Sequence, residues 1–119
     1  MIEIELPWPP KEVSPNQRLH WTKVAEAKRV YRTACHLITR PKCKTRLAGR
    51  HHITLTFFPP NDWRQRDLDN LLASMKAGLD GVADALGIND REFDPVTISM
   101  AETKGPHVRL TITPYQEAA

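Results

Sequence analysis

The chain has 119 residues, with 17 Lys and Arg against 14 Asp and Glu for a formal net charge of +3. That length suits one compact domain and excludes a pair of large domains or a multi-cofactor enzyme. With 40% hydrophobic and 26% charged residues the composition is globular rather than disordered, and no run nears the ~18 apolar residues of a membrane span. The charge is unevenly spread. Residues 1–60 hold 11 Lys/Arg and 4 Asp/Glu, a balance of +7, and residues 61–119 hold 6 and 10, a balance of −4. A basic half suits a polyanion and an acidic half suits a metal ion.

Ile2, Ile4 and Leu6 alternate with Glu3 and Glu5, the pattern of a half-buried strand that Pro7, Pro9 and Pro10 end. The start, MIEIELPWPP, lacks the basic and then apolar regions of a secretory signal, so a cytoplasmic location is expected. From Lys11 to His20 the chain reads as loop. Trp21, Val24, Tyr31, Ala34 and Ile38 then recur at helical spacing, with Lys23, Lys28, Arg29 and Arg32 on other faces, and Pro41 marks the end of this amphipathic helix. Cys35 and Cys43 form neither a C-x-x-C pair nor half of a zinc site, and in a cytoplasmic setting they read as free thiols.

A basic connector (Arg40, Lys42, Lys44, Arg46, Arg50) leads to a strand in which Ile53, Leu55 and Phe57 alternate with Thr54 and Thr56. A second helix is expected from Leu68 to Leu86 on the stripe Leu68, Leu71, Leu72, Met75, Leu79, Val82 and Leu86, with Gly87 as its stop. Val96, Ile98 and Met100 predict a third strand. Val108, Leu110 and Ile112 predict a fourth, after a turn at Lys104-Gly105-Pro106. The expected fold is a mixed α/β (α+β) single domain of order β-α-β-α-β-β. Its four-stranded mixed sheet packs against two helices, and its last two strands form a hairpin.

The stretch Arg64-Gln65-Arg66-Asp67-Leu68-Asp69-Asn70 lies between strand and helix. In extended geometry Asp67 and Asp69 point the same way. One reading is an N-cap, for which a single carboxylate is enough. Two carboxylates at ~4 Å repel by about 1 kcal/mol in water and about 4 kcal/mol at an effective dielectric near 20. A divalent cation relieves that cost, and Arg64 and Arg66 relieve part of it. A third carboxylate follows the helix in Asn89-Asp90. An 18-residue helix spans ~27 Å, so the chain must double back if Asp90 is to meet the pair.

These residues resemble the RusA family of Holliday-junction resolvases. Leu6-Pro7-Trp8-Pro9-Pro10 matches its N-terminal L-P-W-P-P, Arg66-Asp67-Leu68-Asp69-Asn70-Leu71 matches its R-D-L-D-N-L signature, and Asn89-Asp90 stands where the family has an acidic pair. The resemblance covers nearly the whole chain. It implies a homodimeric, Mg²⁺-dependent endodeoxyribonuclease that cuts four-way DNA junctions, with Mn²⁺ as a substitute metal and Asp67, Asp69 and Asp90 as metal-binding catalytic carboxylates. Arg64 and Arg66 fall where the family contacts DNA. The chain departs from the pattern twice. Ala73 occupies the position of the family's lysine, with Lys76 three residues on as a catalytic replacement or as a surface partner of Asp80, and Asn89 replaces one carboxylate, with Glu92 and Asp94 as backups.

Mg²⁺ prefers oxygen ligands and keeps waters, which suits three carboxylates facing a phosphate. A two-fold dimer presents two identical sites to the two equivalent strands of a junction. The phosphate contacts are expected from Lys11, Arg18, Lys23, Lys28, Arg29, Arg32, Lys42, Lys44, Arg46, Arg64 and Arg66, with Lys104 as a further candidate. Trp8, Trp21 and Trp63 are read first as packing residues and second as stacking partners for bases. The five histidines form no nucleophile constellation, and no Walker or Rossmann glycine motif implies a nucleotide cofactor. Rival readings are a non-catalytic DNA-binding module, a D-x-D phosphatase or transferase, and a nuclease for other branched DNA.

Overall fold

Alternating side chains set the strands. The computed structural model describes residues 1–15, 18–60 and 67–116. In β1 (Ile2–Leu6) Ile4 and Leu6 are buried while Glu3 and Glu5 are exposed. Strand β2 (His51–Phe58) buries Ile53, Leu55 and Phe57. The last strand, β4 (His107–Pro114), buries Val108, Leu110 and Ile112. The register aligns these residues across the sheet, with Leu110 opposite both Ile4 and Leu55. The intervening Thr54, Thr56, Arg109, Thr111 and Thr113 are only half-buried, so one sheet face carries the core and the other meets water.

The sheet is mixed, in the order β1-β4-β2-β3. Strand β4 is antiparallel to both neighbours, whereas β3 (Phe93–Met100) runs parallel to β2. This corrects the expected hairpin, because β3 and β4 are not partners. A helical crossover forces β3 parallel to β2. The chain then passes over the end of β2, where Ala101 N–H donates to Phe57 O at 2.9 Å and Gly105 N–H to Pro59 O at 2.9 Å. It finally enters between β1 and β2. Composition explains the order. The strand with three wholly buried aliphatics takes the centre, while β3 carries Asp94 and Pro95 and exposes 40% of Val96, as an edge strand does.

Helix α1 (Trp21–Thr39) matches the expected span, and Pro41 sits in a 3-10 turn beyond it. Its buried line is Tyr31, Cys35 and Thr39, with Val24, Ala27, Ala34 and Ile38 half-buried. Trp21, expected in that stripe, is 72% exposed. Ten residues before Tyr31, at ~100° per residue, it lies roughly 80° round the helix from the core line. Both cysteines are free thiols.

The expected second helix is two: α2 (Leu68–Ser74) and α3 (Lys76–Leu86), separated by Met75. There the backbone tightens to an i→i−3 hydrogen bond, Met75 N–H to Leu72 O at 3.0 Å. Met75 is wholly buried, and the Tyr31 hydroxyl lies 3.3 Å from its sulfur. Gly87 stops α3 as expected, at φ 72°, and Ile88 N–H closes the turn on Ala83 O at 3.0 Å. Where α1 crosses α3, a Cβ on Gly81 would lie 2.1 Å from Arg32 O, so only glycine admits this approach.

Candidate active site

Asp67 is the N-cap of α2. Its backbone is extended, and its Oδ1 accepts the Asp69 N–H at 2.9 Å. Asp69 already belongs to the first turn of the helix. The two residues straddle the helix start rather than sharing an extended strand, because the cap must be extended while N2 is helical. Both are exposed, and they stand at the end of the crossover that follows β2. In parallel α/β units this end of the strands is where ligands bind.

Asp69, Ala73, Lys76 and Asp80 follow one another at helical spacing along α2 and α3. Asp80 stands eleven residues beyond Asp69, about 16 Å along the axis. Asp90 opens a 3-10 turn, Asp90–Glu92, where Asn89 Oδ1 accepts the Arg91 N–H at 3.1 Å. Its carboxyl meets that of Asp80. Partial burial, the hydrogen bond that the protonated Asp80 carboxyl donates to Asp90 and the Asp90 charge push Asp80 above the usual carboxylate range, while Lys76 and Arg32 pull it down. Asp90 also lines a cleft of about 270 Å³ with Leu72, Ala73, Lys76 and Asp80, against the junction of α2 and α3. Among the described residues no three His, Cys, Asp or Glu side chains are grouped to hold a metal ion. Asp67, Asp69 and Asp90, all described, are thus not gathered into one such group within a chain.

Two further clefts flank the crossover. One, of about 410 Å³, lies between Val13, Val24 and Ala77 and is lined by Lys28, Lys76 and Asp80, so it joins an expected DNA contact to the expected catalytic lysine. The other, of about 430 Å³, is lined by Arg32, Arg46, Asp80, Asp84 and Asp90. There Arg32, an expected phosphate contact, pairs with Asp84. Arg29 pairs with Glu26, and Arg46 donates to Gly87 O at 3.4 Å. The backup Asp94 is held by Arg50, whose Nε donates to Asp94 O at 2.8 Å and whose guanidinium lies over the Tyr115 ring. Glu92 is half-buried in the turn that Asp90 opens.

Lys11, Arg18, Lys23, Lys28, Lys42, Lys44 and Lys104 are exposed. Arg64, Arg66 and Trp63 lie outside the described residues. His51 donates through Nδ1 to Gly49 O at 2.8 Å, and His52 Nε2 is hydrogen-bonded to Thr97 Oγ1 at 2.8 Å, so both have structural partners. Asp80 and Asp84 were not among the expected site residues. The one sequence signal for them was the four-residue spacing from Lys76 to Asp80.

The fold and this charged stripe define a small mixed α/β protein with a D-x-D-capped crossover helix. The chain belongs to the same family as an uncharacterized protein of Xylella fastidiosa (strain Temecula1 / ATCC 700964). It is 37% identical to that protein over 126 aligned residues, covering all of this chain and 80% of the relative. No family model matches the chain. No helix among the described residues is long and apolar enough to cross a membrane.

Proposed function

We propose that the protein is a Mg²⁺-dependent endodeoxyribonuclease that resolves four-way DNA junctions as a homodimer in the cytoplasm. The observation that carries this reading is the R-D-L-D-N motif (Arg66–Asn70) at the head of α2, with Asp67 and Asp69 both exposed at the ligand-binding end of a parallel strand pair. An all-carboxylate donor set suits Mg²⁺, and Mn²⁺ is an acceptable substitute. The donor chemistry fits, but one protomer supplies only Asp67 and Asp69 at this end. A second copy delivers Asp90, so dimerisation completes the ligand set as well as matching the two-fold symmetry of the junction.

Bound Mg²⁺ would supply an activated water and charge relief on the phosphate. The chain's own residues have separate tasks. One Asp67 oxygen is committed to the Asp69 N–H, leaving its other oxygen and the Asp69 carboxylate for the metal. Lys76, about 10 Å along the helix from Asp69, offsets phosphate charge. Lys28 extends that positive surface across the shared cleft. Lys11, Arg18, Arg64 and Arg66 add phosphate contacts and a steep salt dependence.

The test is cleavage of a mobile four-way junction with Mg²⁺ by wild type and Asp69→Asn. Paired symmetric nicks by wild type, lost in the variant with junction binding retained, support the proposal. Binding without any nick by wild type favours a DNA-binding module, and equal cutting of flaps and junctions favours a general branched-DNA nuclease.

A further inference from the structure

Trp21 does not join the core cluster of the described residues. Trp8 is half-buried and meets Phe57 edge-on at 6.0 Å, as a packing residue does. Trp21 is 72% exposed on the first turn of α1, although its ring offers one of the largest surfaces for burial in the chain. It is nonetheless held in place. His20 is the N-cap of the helix, its Nδ1 accepting the Thr22 N–H at 3.3 Å and lying 2.7 Å from Thr22 Oγ1. That fixed imidazole stacks on the indole at 5.7 Å between centroids, with 30° between the planes.

The surroundings select the partner. The first turn of α1 contains no acidic residue, so the positive end of the helix dipole is left unneutralised. Arg18 precedes the indole by three residues, and Lys28, two turns on, shares its face of the helix, both exposed. An apolar protein segment would find cations and polar side chains around a single ring. A nucleobase with its phosphate finds a π-surface beside positive charge, the combination that holds single-stranded nucleic acid.

We infer that Trp21, backed by His20, is a stacking platform for an unpaired nucleobase of the branched DNA, with the adjacent phosphate held by Arg18, Lys28 and the helix N-terminus. This rests on the nuclease reading above and adds to it a site for the opened strand.

The experiment measures binding of a fluorescent oligo-dT strand, a four-way junction and an unbranched duplex, in EDTA to prevent cleavage, by wild type, Trp21→Ala and Trp21→Phe. Trp21→Ala should weaken oligo-dT and junction binding roughly tenfold while leaving duplex binding unchanged. Trp21→Phe should retain most of the affinity, and oligo-dT should quench tryptophan emission in wild type but not in Trp21→Ala. Because Trp21 is exposed, thermal melting of the variants should match wild type. Equal binding of all three DNAs by wild type and Trp21→Ala overturns the platform and leaves the nuclease reading standing. Failure of wild type to bind any of the three overturns both.

Discussion

The carboxyl groups of Asp80 and Asp90 face one another between α3 and the turn that leads into β3, with Lys76 and Arg32 as the cations nearest to them. Burial and the Asp90 carboxyl hold Asp80 above the ordinary aspartate range, so ionising Asp80 opposes folding. The folded protein keeps its proton to a higher pH than the unfolded chain does. Stability is therefore lost as pH rises from about 4 through the folded value. Asp80→Asn should raise the melting temperature at pH 7 and leave it unchanged near pH 3. A variant that melts below wild type at pH 7 would mean that Lys76 and Arg32 outweigh Asp90 at this position.

The two thiols should differ sharply in reactivity. Cys35 is wholly buried between α1 and α3, and burial pushes its thiol up to about 11. Cys43 is half-buried, and its thiol donates to Thr45 O at 2.7 Å. A disulfide reagent at pH 8 should titrate one thiol quickly in the native protein and two in denaturant, since the thiolate is the reacting form. Two fast native thiols would contradict the packing of α1 on α3.

The strands and helices were legible because alternation and the 3.6-residue stripe each leave a plain record, as at Ile53, Leu55 and Phe57 or at Leu71, Met75 and Val82. Strand order was not, because pairing is decided by competition among strands rather than by any one of them. Even so, Pro95 and Asp94 marked β3 as an edge, whereas β1 and β4 carry three alternating aliphatics each and only β4 is central. Asp67 and Asp69 were visible as a motif. The position of Asp90 was not, because the break at Met75 and the turn after Gly87 decide where it falls. Met75 and Gly81 show their roles only when α1 is packed against them.

Gly81→Ala tests that packing. In an open helix the change would stabilise by up to about 1 kcal/mol. Here the new Cβ would stand 2.1 Å from the Arg32 carbonyl oxygen and 3.2 Å from the His36 nitrogen, both backbone atoms that cannot turn aside. Displacing α1 from α3 should cost about 2–3 kcal/mol net and lower the melting temperature by roughly 10 °C, as measured by calorimetry. An alanine variant as stable as wild type would show that the two helices do not cross this closely.

The proposed division of the ligand set between two chains predicts an outcome that a site built within one chain cannot give. Asp69→Asn and Asp90→Asn should each be inactive alone. In a heterodimer of the two, one site inherits both substitutions. The other combines an intact Asp67–Asp69 end from one protomer with an intact Asp90 from its partner. Mixing the inactive variants and allowing subunits to exchange should therefore restore cleavage. It should reach about a quarter of the wild-type rate, since half the dimers are mixed and each has one working site. The products should be single nicks rather than paired ones, because the opposite strand faces the doubly substituted site. If each chain built its own site from Asp67, Asp69 and Asp90, the heterodimer would carry one lesion in each site and no activity would return. A gel that separates nicked from resolved junctions decides between the two arrangements. Asp67→Asn mixed with Asp69→Asn is the control, because those two residues share one protomer's end of the crossover, and exchange should restore nothing once either is needed for activity.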